Sequence, residues 1–169
     1  MELYFLRHAI AAEKAEAGVA ADVDRPLTSE GAQKMKKAAE GMKKLNLGVD
    51  KIIASPYIRA KHTAEIAAEG LGFGGKIRLS DALIPNAVFR DFSKLLKEQA
   101  ANARLLLVGH QPSMGDFVSE LVTGNQGGLS IDFKKGSLCL VEIHGASTPV
   151  SGVLVWSLTS KQLGLMADG

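Results

Sequence analysis

An arginine and a histidine, Arg7 and His8, stand side by side where the apolar run of "YFLRHAIA" ends, with no carboxylate beside them. A second arginine, Arg59, follows "IIASPYI", and a second histidine, His110, closes "RLLLVGH". These residue types suit the handling of an oxyanion. A guanidinium presents a rigid fork of donors that matches phosphate. A neutral imidazole can attack as a nucleophile or carry a proton. Each residue alone has a plainer reading: a strand-end arginine is a surface ion-pair partner, and a lone histidine is a hydrogen-bonded structural residue. Three segments offering the same charge sign at corresponding places form a stronger signal. Clustered cations repel, and a bound anion is the simplest compensation.

The elements that must position these groups alternate along the chain. "ELYFLR" reads as a buried strand, and the stretch Ala9 to Pro26 as a loop over one end of the fold. "LTSEGAQKMKKAAEGMKKL" places Ala32, Met35, Ala38, Met42 and Leu45 at helical spacing, with Thr28 as N-cap. "DKIIASP" is a second strand, and "YIRAKHTAEIAAEGLG" a helix with Pro56 near its first turn. "KIRLS" reads as a short edge strand. "PNAVFRDFSKLLKEQA" reads as a helix capped by Asn86, with Val88, Phe89, Phe92, Leu95 and Leu96 inward. "RLLLVGH" is a strand, and Pro112 opens a helix through Phe117, Val118, Leu121 and Val122. "SLCLVEIH" and "GVLVWSL" read as a terminal hairpin around a Gly-rich turn. The alternation predicts an α/β fold, a three-layer α/β/α sandwich with a mainly parallel central sheet, in one domain over 1–169. Ligands of such sheets bind beyond the carboxyl ends of the strands. Arg7, His8, Arg59 and His110 all fall there, and helices starting near Pro56 and Pro112 add the positive ends of their dipoles.

Composition narrows the function classes. The 169 residues carry a net charge of +2 and 5% aromatics, with no block of like charges, so nothing points to nucleic acid. The one cysteine, Cys139, has no disulfide partner and reads as a packed core thiol. The N-terminal apolar run is too short for a signal sequence, and nothing approaches the ~20 apolar residues of a membrane span. A cytoplasmic monomer is the default.

"LRHA", "SPYIRAKHTA" and "VGHQP", in that order, together with "RPLTSEG", resemble the signatures of the histidine phosphatase superfamily, with its phosphoglycerate-mutase-like fold. The resemblance spans about residues 2 to 123, and the short chain looks most like the SixA-type branch. It implies that His8 is the nucleophile, forming a phosphohistidine intermediate, and that Arg7, Arg59 and His110 bind the phosphoryl oxygens without metal or other cofactor. It implies a phosphorylated substrate, with phosphohistidine on a signalling protein first. A broad phosphomonoesterase on small metabolites and a phosphate-binding module without turnover are the alternatives. Arg25 is a candidate phosphate ligand or a salt bridge at the sheet edge, and Gln111 a candidate through its backbone N–H. His62 orients Arg59 or, preferably, faces a neighbouring helix. Ser55 positions the following helix, and His144 lies at the surface. Many family members supply a carboxylic acid from the loop after the third strand. Here Asp81 is the only carboxylate close to that loop, which favours a phosphoramidate, whose leaving imidazole takes its proton from solvent. Few covering insertions imply an open, shallow pocket unless Ala9 to Pro26 folds down as a lid.

Overall fold

The computed structural model describes residues 1–144 and 151–169. Strands β1 (Glu2–Arg7), β2 (Lys51–Ala54), β3 (Arg78–Leu79), β4 (Arg104–Gly109), β5 (Leu138–Ile143) and β6 (Gly152–Leu158) form one sheet in the order β3-β2-β4-β1-β5-β6. The first four are parallel, and β5 and β6 are antiparallel. The sheet is mainly parallel, as the alternating pattern predicts. The Gly-rich turn expected between the last two strands falls at 145–150, outside the described residues.

Strand alternation divides the core. Tyr4, Leu6, Ile52, Ala54, Leu106 and Val108 point to one face, and Leu3, Phe5, Ile53, Leu105 and Leu107 to the other. Helices α2 (Ser29–Lys44), α3 (Ile58–Leu71) and α6 (Ser160–Asp168) cover the first face. Helices α4 (Phe89–Lys97) and α5 (Ser113–Thr123) cover the second. Both faces of the inner parallel strands β1, β2 and β4 are therefore dry, which explains their apolar runs, whereas the short edge strand β3 is exposed. Thr28 caps α2 as expected, accepting the N–H of Gly31 at 2.9 Å. No helix among the described residues is long and apolar enough to cross a membrane.

Four local differences have physical causes. The Ala9–Pro26 stretch carries a one-turn helix, α1 (Lys14–Ala17), ended by Gly18 in the left-handed region, and a 3-10 turn at Asp22–Asp24. Asn86 does not cap α4. It takes a left-handed turn at φ 59°, the helix starts at Phe89 with Val88 at its N-cap, and Val88 is 51% exposed. The terminal helix α6 follows β6 unannounced by any long periodic pattern. Its signal is local: Thr159 and Gln162 form a reciprocal capping box. Finally, β5 and β6 slip register between Leu140 and Val141, where Val155 of β6 is left without a partner. Leu154 thus packs on the α4–α5 face and Trp156 on the α2–α3 face, although they are two residues apart.

Candidate active site

Parallel register brings the strand ends together. Arg7, last in β1, pairs with Gly109, last in β4, and the N–H of His8 donates to the Gly109 carbonyl at 3.0 Å. The two following side chains, His8 and His110, emerge with ring centroids 5.0 Å apart. The N–H of Ser55 donates to the Val108 carbonyl at 2.9 Å, which aligns the end of β2 with the same edge. Arg59, in the first turn of α3, then reaches His8, with Nε 3.3 Å from His8 Nε2. His8 is 7% exposed, Arg59 4% and His110 1%.

The protonation pattern of His8 follows from its partners. Nδ1 lies 2.7 Å from the carbonyl oxygen of Ala9, so it donates there and Nε2 keeps its lone pair. The imidazole is lowered to about 3, chiefly by burial; Arg59, Arg7 and Lys135 push the same way, and the Ala9 hydrogen bond opposes them. Thr63, one turn after Arg59, locks this corner. Its hydroxyl donates to the Arg59 carbonyl at 2.6 Å and accepts the N–H of Ala9 at 3.1 Å.

His110 is held by Ser55. Ser55 Oγ accepts the N–H of Tyr57 at 3.3 Å and lies 2.9 Å from His110 Nε2. The ring's tautomer sets which of the two donates. His110 Nδ1 and Arg7 Nε are both buried and have no partner among the described residues. Arg7 Nη1 donates to the Phe133 carbonyl at 2.6 Å. Burial pushes His110 far below the usual histidine range, and His8, Arg59 and Arg7 push the same way. The Tyr57 ring packs edge-on to His110, and the Arg59 guanidinium sits 5.0 Å over its centroid.

One residue was not legible beforehand. The sequence predicts cations without a protein partner, but Asp22 supplies one. Arg59 Nη1 donates to the Asp22 carbonyl at 2.6 Å and Nη2 to its carboxylate at 2.8 Å. The Ala9–Pro26 stretch therefore folds down, and the site is less open than its length suggests. Asp22 arrives through a 3-10 turn in a segment with no periodicity, so its only sequence signal is proximity to Arg25.

The remaining candidates divide between the loop, the helix ends, the surface and the core. Arg25 donates within the loop from all three nitrogens: Nε to the Ala12 carbonyl at 2.7 Å, Nη1 to Asp22 and Nη2 to Glu13, both at 3.0 Å. It makes ion pairs, and they clamp the loop rather than the sheet edge. The Gln111 side chain accepts the N–H of Gly115 at 2.8 Å and so caps the first turn of α5. His62 is exposed and makes no hydrogen bond to Arg59 or to a neighbouring helix among the described residues; Thr63 braces that turn instead. Asp81 is exposed at the start of a 3-10 turn and makes no ion pair to the site. His144 is at the surface beside Glu142, and Cys139 is fully buried, its thiol raised by burial to about 12.

A mainly parallel sheet with this crossover and these covering layers defines an α/β protein of the phosphoglycerate-mutase-like class. In that class, the structure of the protein histidine phosphatase SixA complexed with tungstate superposes with a TM-score of 0.84, at 24% identity over 96% of this chain and 99% of the other. The family model of the histidine phosphatase superfamily (branch 1) matches residues 3–84. An uncharacterized protein of Picosynechococcus sp. is 39% identical over 140 residues, 82% of each chain. Phosphohistidine phosphatase SixA of Escherichia coli is 28% identical over 128 residues, 73% of this chain and 76% of that one. The chain belongs to the histidine phosphatase superfamily and is a hydrolase of the phosphatase type.

Proposed function

We propose that the protein removes a phosphoryl group through a phosphohistidine intermediate on His8, and that its substrate is phosphohistidine on a signalling protein. The observation that carries this reading is the state of His8: Nδ1 is committed to the Ala9 carbonyl, while Nε2 is unprotonated and beside a guanidinium. Nε2 attacks phosphorus in line, a P–Nε2 bond forms and the bond to the leaving group breaks. Arg59, Arg7 and, in the tautomer that carries its proton on Nδ1, His110 draw charge from the phosphoryl oxygens. Water then attacks phosphorus, phosphate leaves, and Nε2 recovers its lone pair.

The leaving group decides the substrate class. An alkoxide needs a proton from a positioned acid. Asp22 is the carboxylate in contact with Arg59, and its arginine partners keep it ionised; Asp81 is exposed. A phosphoramidate departs as an imidazole that takes its proton from solvent, so the shortage of an acid favours phosphohistidine. The near-complete burial of His8 favours the second reading, a small phosphorylated metabolite able to enter a narrow site.

The test is a pair of assays. With labelled phosphohistidine protein, wild type should form an acid-labile phosphoenzyme that disappears in His8→Ala. Turnover of that protein should exceed turnover of several phosphomonoesters. A strong preference for the esters moves the substrate to the metabolite class, and absence of any covalent adduct leaves a binding module.

A further inference from the structure

Arg59 is almost wholly buried, and a guanidinium in that position needs an anion beside it. Asp22 provides that anion, with its backbone carbonyl on Nη1 and its carboxylate Oδ2 on Nη2. The other carboxylate oxygen, Oδ1, is 3.0 Å from Arg25 Nη1. We propose that Asp22 is a positioning residue that sets oxyanion affinity: it is an internal anion that holds Arg59 when no phosphoryl group does, and gives Arg59 up when one arrives. The proposal rests on the phosphatase reading above and deepens it.

Three features of the loop support exchange over permanent pairing. First, the Asp22 side chain is 44% exposed while that of Arg59 is 5% exposed, so the carboxylate can swing toward water and the guanidinium cannot. Second, Arg25 is a standing second partner. It is anchored independently on the Ala12 carbonyl and Glu13, so a carboxylate that leaves Arg59 keeps an ion pair at Oδ1. Breaking a buried pair is costly when one charge is left alone, and here neither is. Third, an incoming phosphoryl group carries more charge than a carboxylate and supplies several acceptors in its place. Burial acts to raise the Asp22 carboxyl, but hydrogen bonds from Arg25 and Arg59 outweigh it and hold the group below its usual value. Asp22 is therefore an anion under ordinary conditions, and it competes with whatever oxyanion Arg59 meets. The same competition helps expel product phosphate.

The experiment titrates tungstate into wild type, Asp22→Asn and Asp22→Glu by calorimetry at fixed ionic strength. Removing the competing charge should tighten binding by roughly tenfold, the size of a modest electrostatic term. Asp22→Glu, which keeps the charge, should stay near wild type. A residue that merely braced Arg59 would give the opposite sign, so unchanged or weaker binding by Asp22→Asn overturns the proposal. A second readout needs no variant: the carboxyl carbon resonance of Asp22 in wild type should move as tungstate saturates the site, and a stationary resonance overturns the exchange. If wild type itself takes up no tungstate, the phosphatase reading falls as well. If wild type binds and Asp22→Asn gains nothing, only the role of Asp22 falls.

Discussion

His110 Nε2 and Ser55 Oγ lie 2.9 Å apart, and the same hydroxyl accepts the N–H of Tyr57. One buried hydroxyl thus ties the end of β4 to the entry of α3 and fixes the tilt of the second imidazole. Ser55→Ala strands the ring nitrogen and the amide together. Unsatisfied buried groups of this kind cost about 1–3 kcal/mol. Denaturant unfolding should show a loss in that range, and kcat/KM should fall about tenfold because His110 loses its orientation.

Thr63→Val replaces a hydroxyl with a methyl of the same shape. It removes the donor to the Arg59 carbonyl and the acceptor of the Ala9 N–H, both buried. The expected cost is again about 1–3 kcal/mol. The Ala9 carbonyl that sets the His8 tautomer should loosen with it, so phosphoenzyme formation should slow in single-turnover kinetics more than substrate affinity weakens.

The buried imidazoles make stability depend on pH in a fixed direction. His8 titrates near 3 in the folded chain and near 6.5 unfolded, and His110 is shifted the same way. The unfolded state therefore binds more protons, and stability falls as pH drops below 6.5. Each histidine contributes a slope approaching 1.4 kcal/mol per pH unit, an order-of-magnitude limit of about 1.4. Between pH 6.5 and 5, carboxylates are largely ionised in both states, so this slope belongs to the histidines. Urea unfolding at pH 8, 6.5 and 5 should show a plateau and then a decline, and His8→Gln should flatten the decline. Activity has the corresponding shape: the free-enzyme kcat/KM should show no acid limb near 6.5, because His8 is already neutral there.

Much of the site was readable because its residues sit at predictable places. A strand that ends in Arg7-His8, a helix that opens on Arg59 and a strand that ends before His110 share one sheet edge in any parallel α/β arrangement. Asp22 was not readable, because its position depends on a 3-10 turn and on ion pairs across the loop. Arg25 was ambiguous for the same reason, since the choice between phosphate and carboxylate is made by tertiary contacts. Asn86 misled because a residue favoured at caps is also favoured in left-handed turns. His62 misled because its neighbour Thr63 carries the bracing role, and one position on a helix is 100° of rotation.

Gly31 is a further control point on the corner that follows His8. A Cβ there would collide with the backbone carbonyl of Ile10, an oxygen that already accepts the N–H of Thr28 at 3.0 Å. Backbone cannot step aside as a flexible side chain can. Gly31→Ala should therefore cost about 1–3 kcal/mol by overpacking, visible as a lower thermal midpoint, and should displace the His8–Ile10 corner enough to reduce phosphoenzyme yield.

The unpaired Val155 acts on the terminal ribbon as a half-turn of phase. Before it, β6 shows Leu154 to one layer; after it, Trp156 and Leu158 face the opposite layer, the one onto which α6 then docks. Deleting that single residue would leave Leu154 opposite Val141 and Trp156 opposite Leu140, each facing the layer it faces now, and would remove only the bend and extra twist with which the ribbon delivers the closing helix.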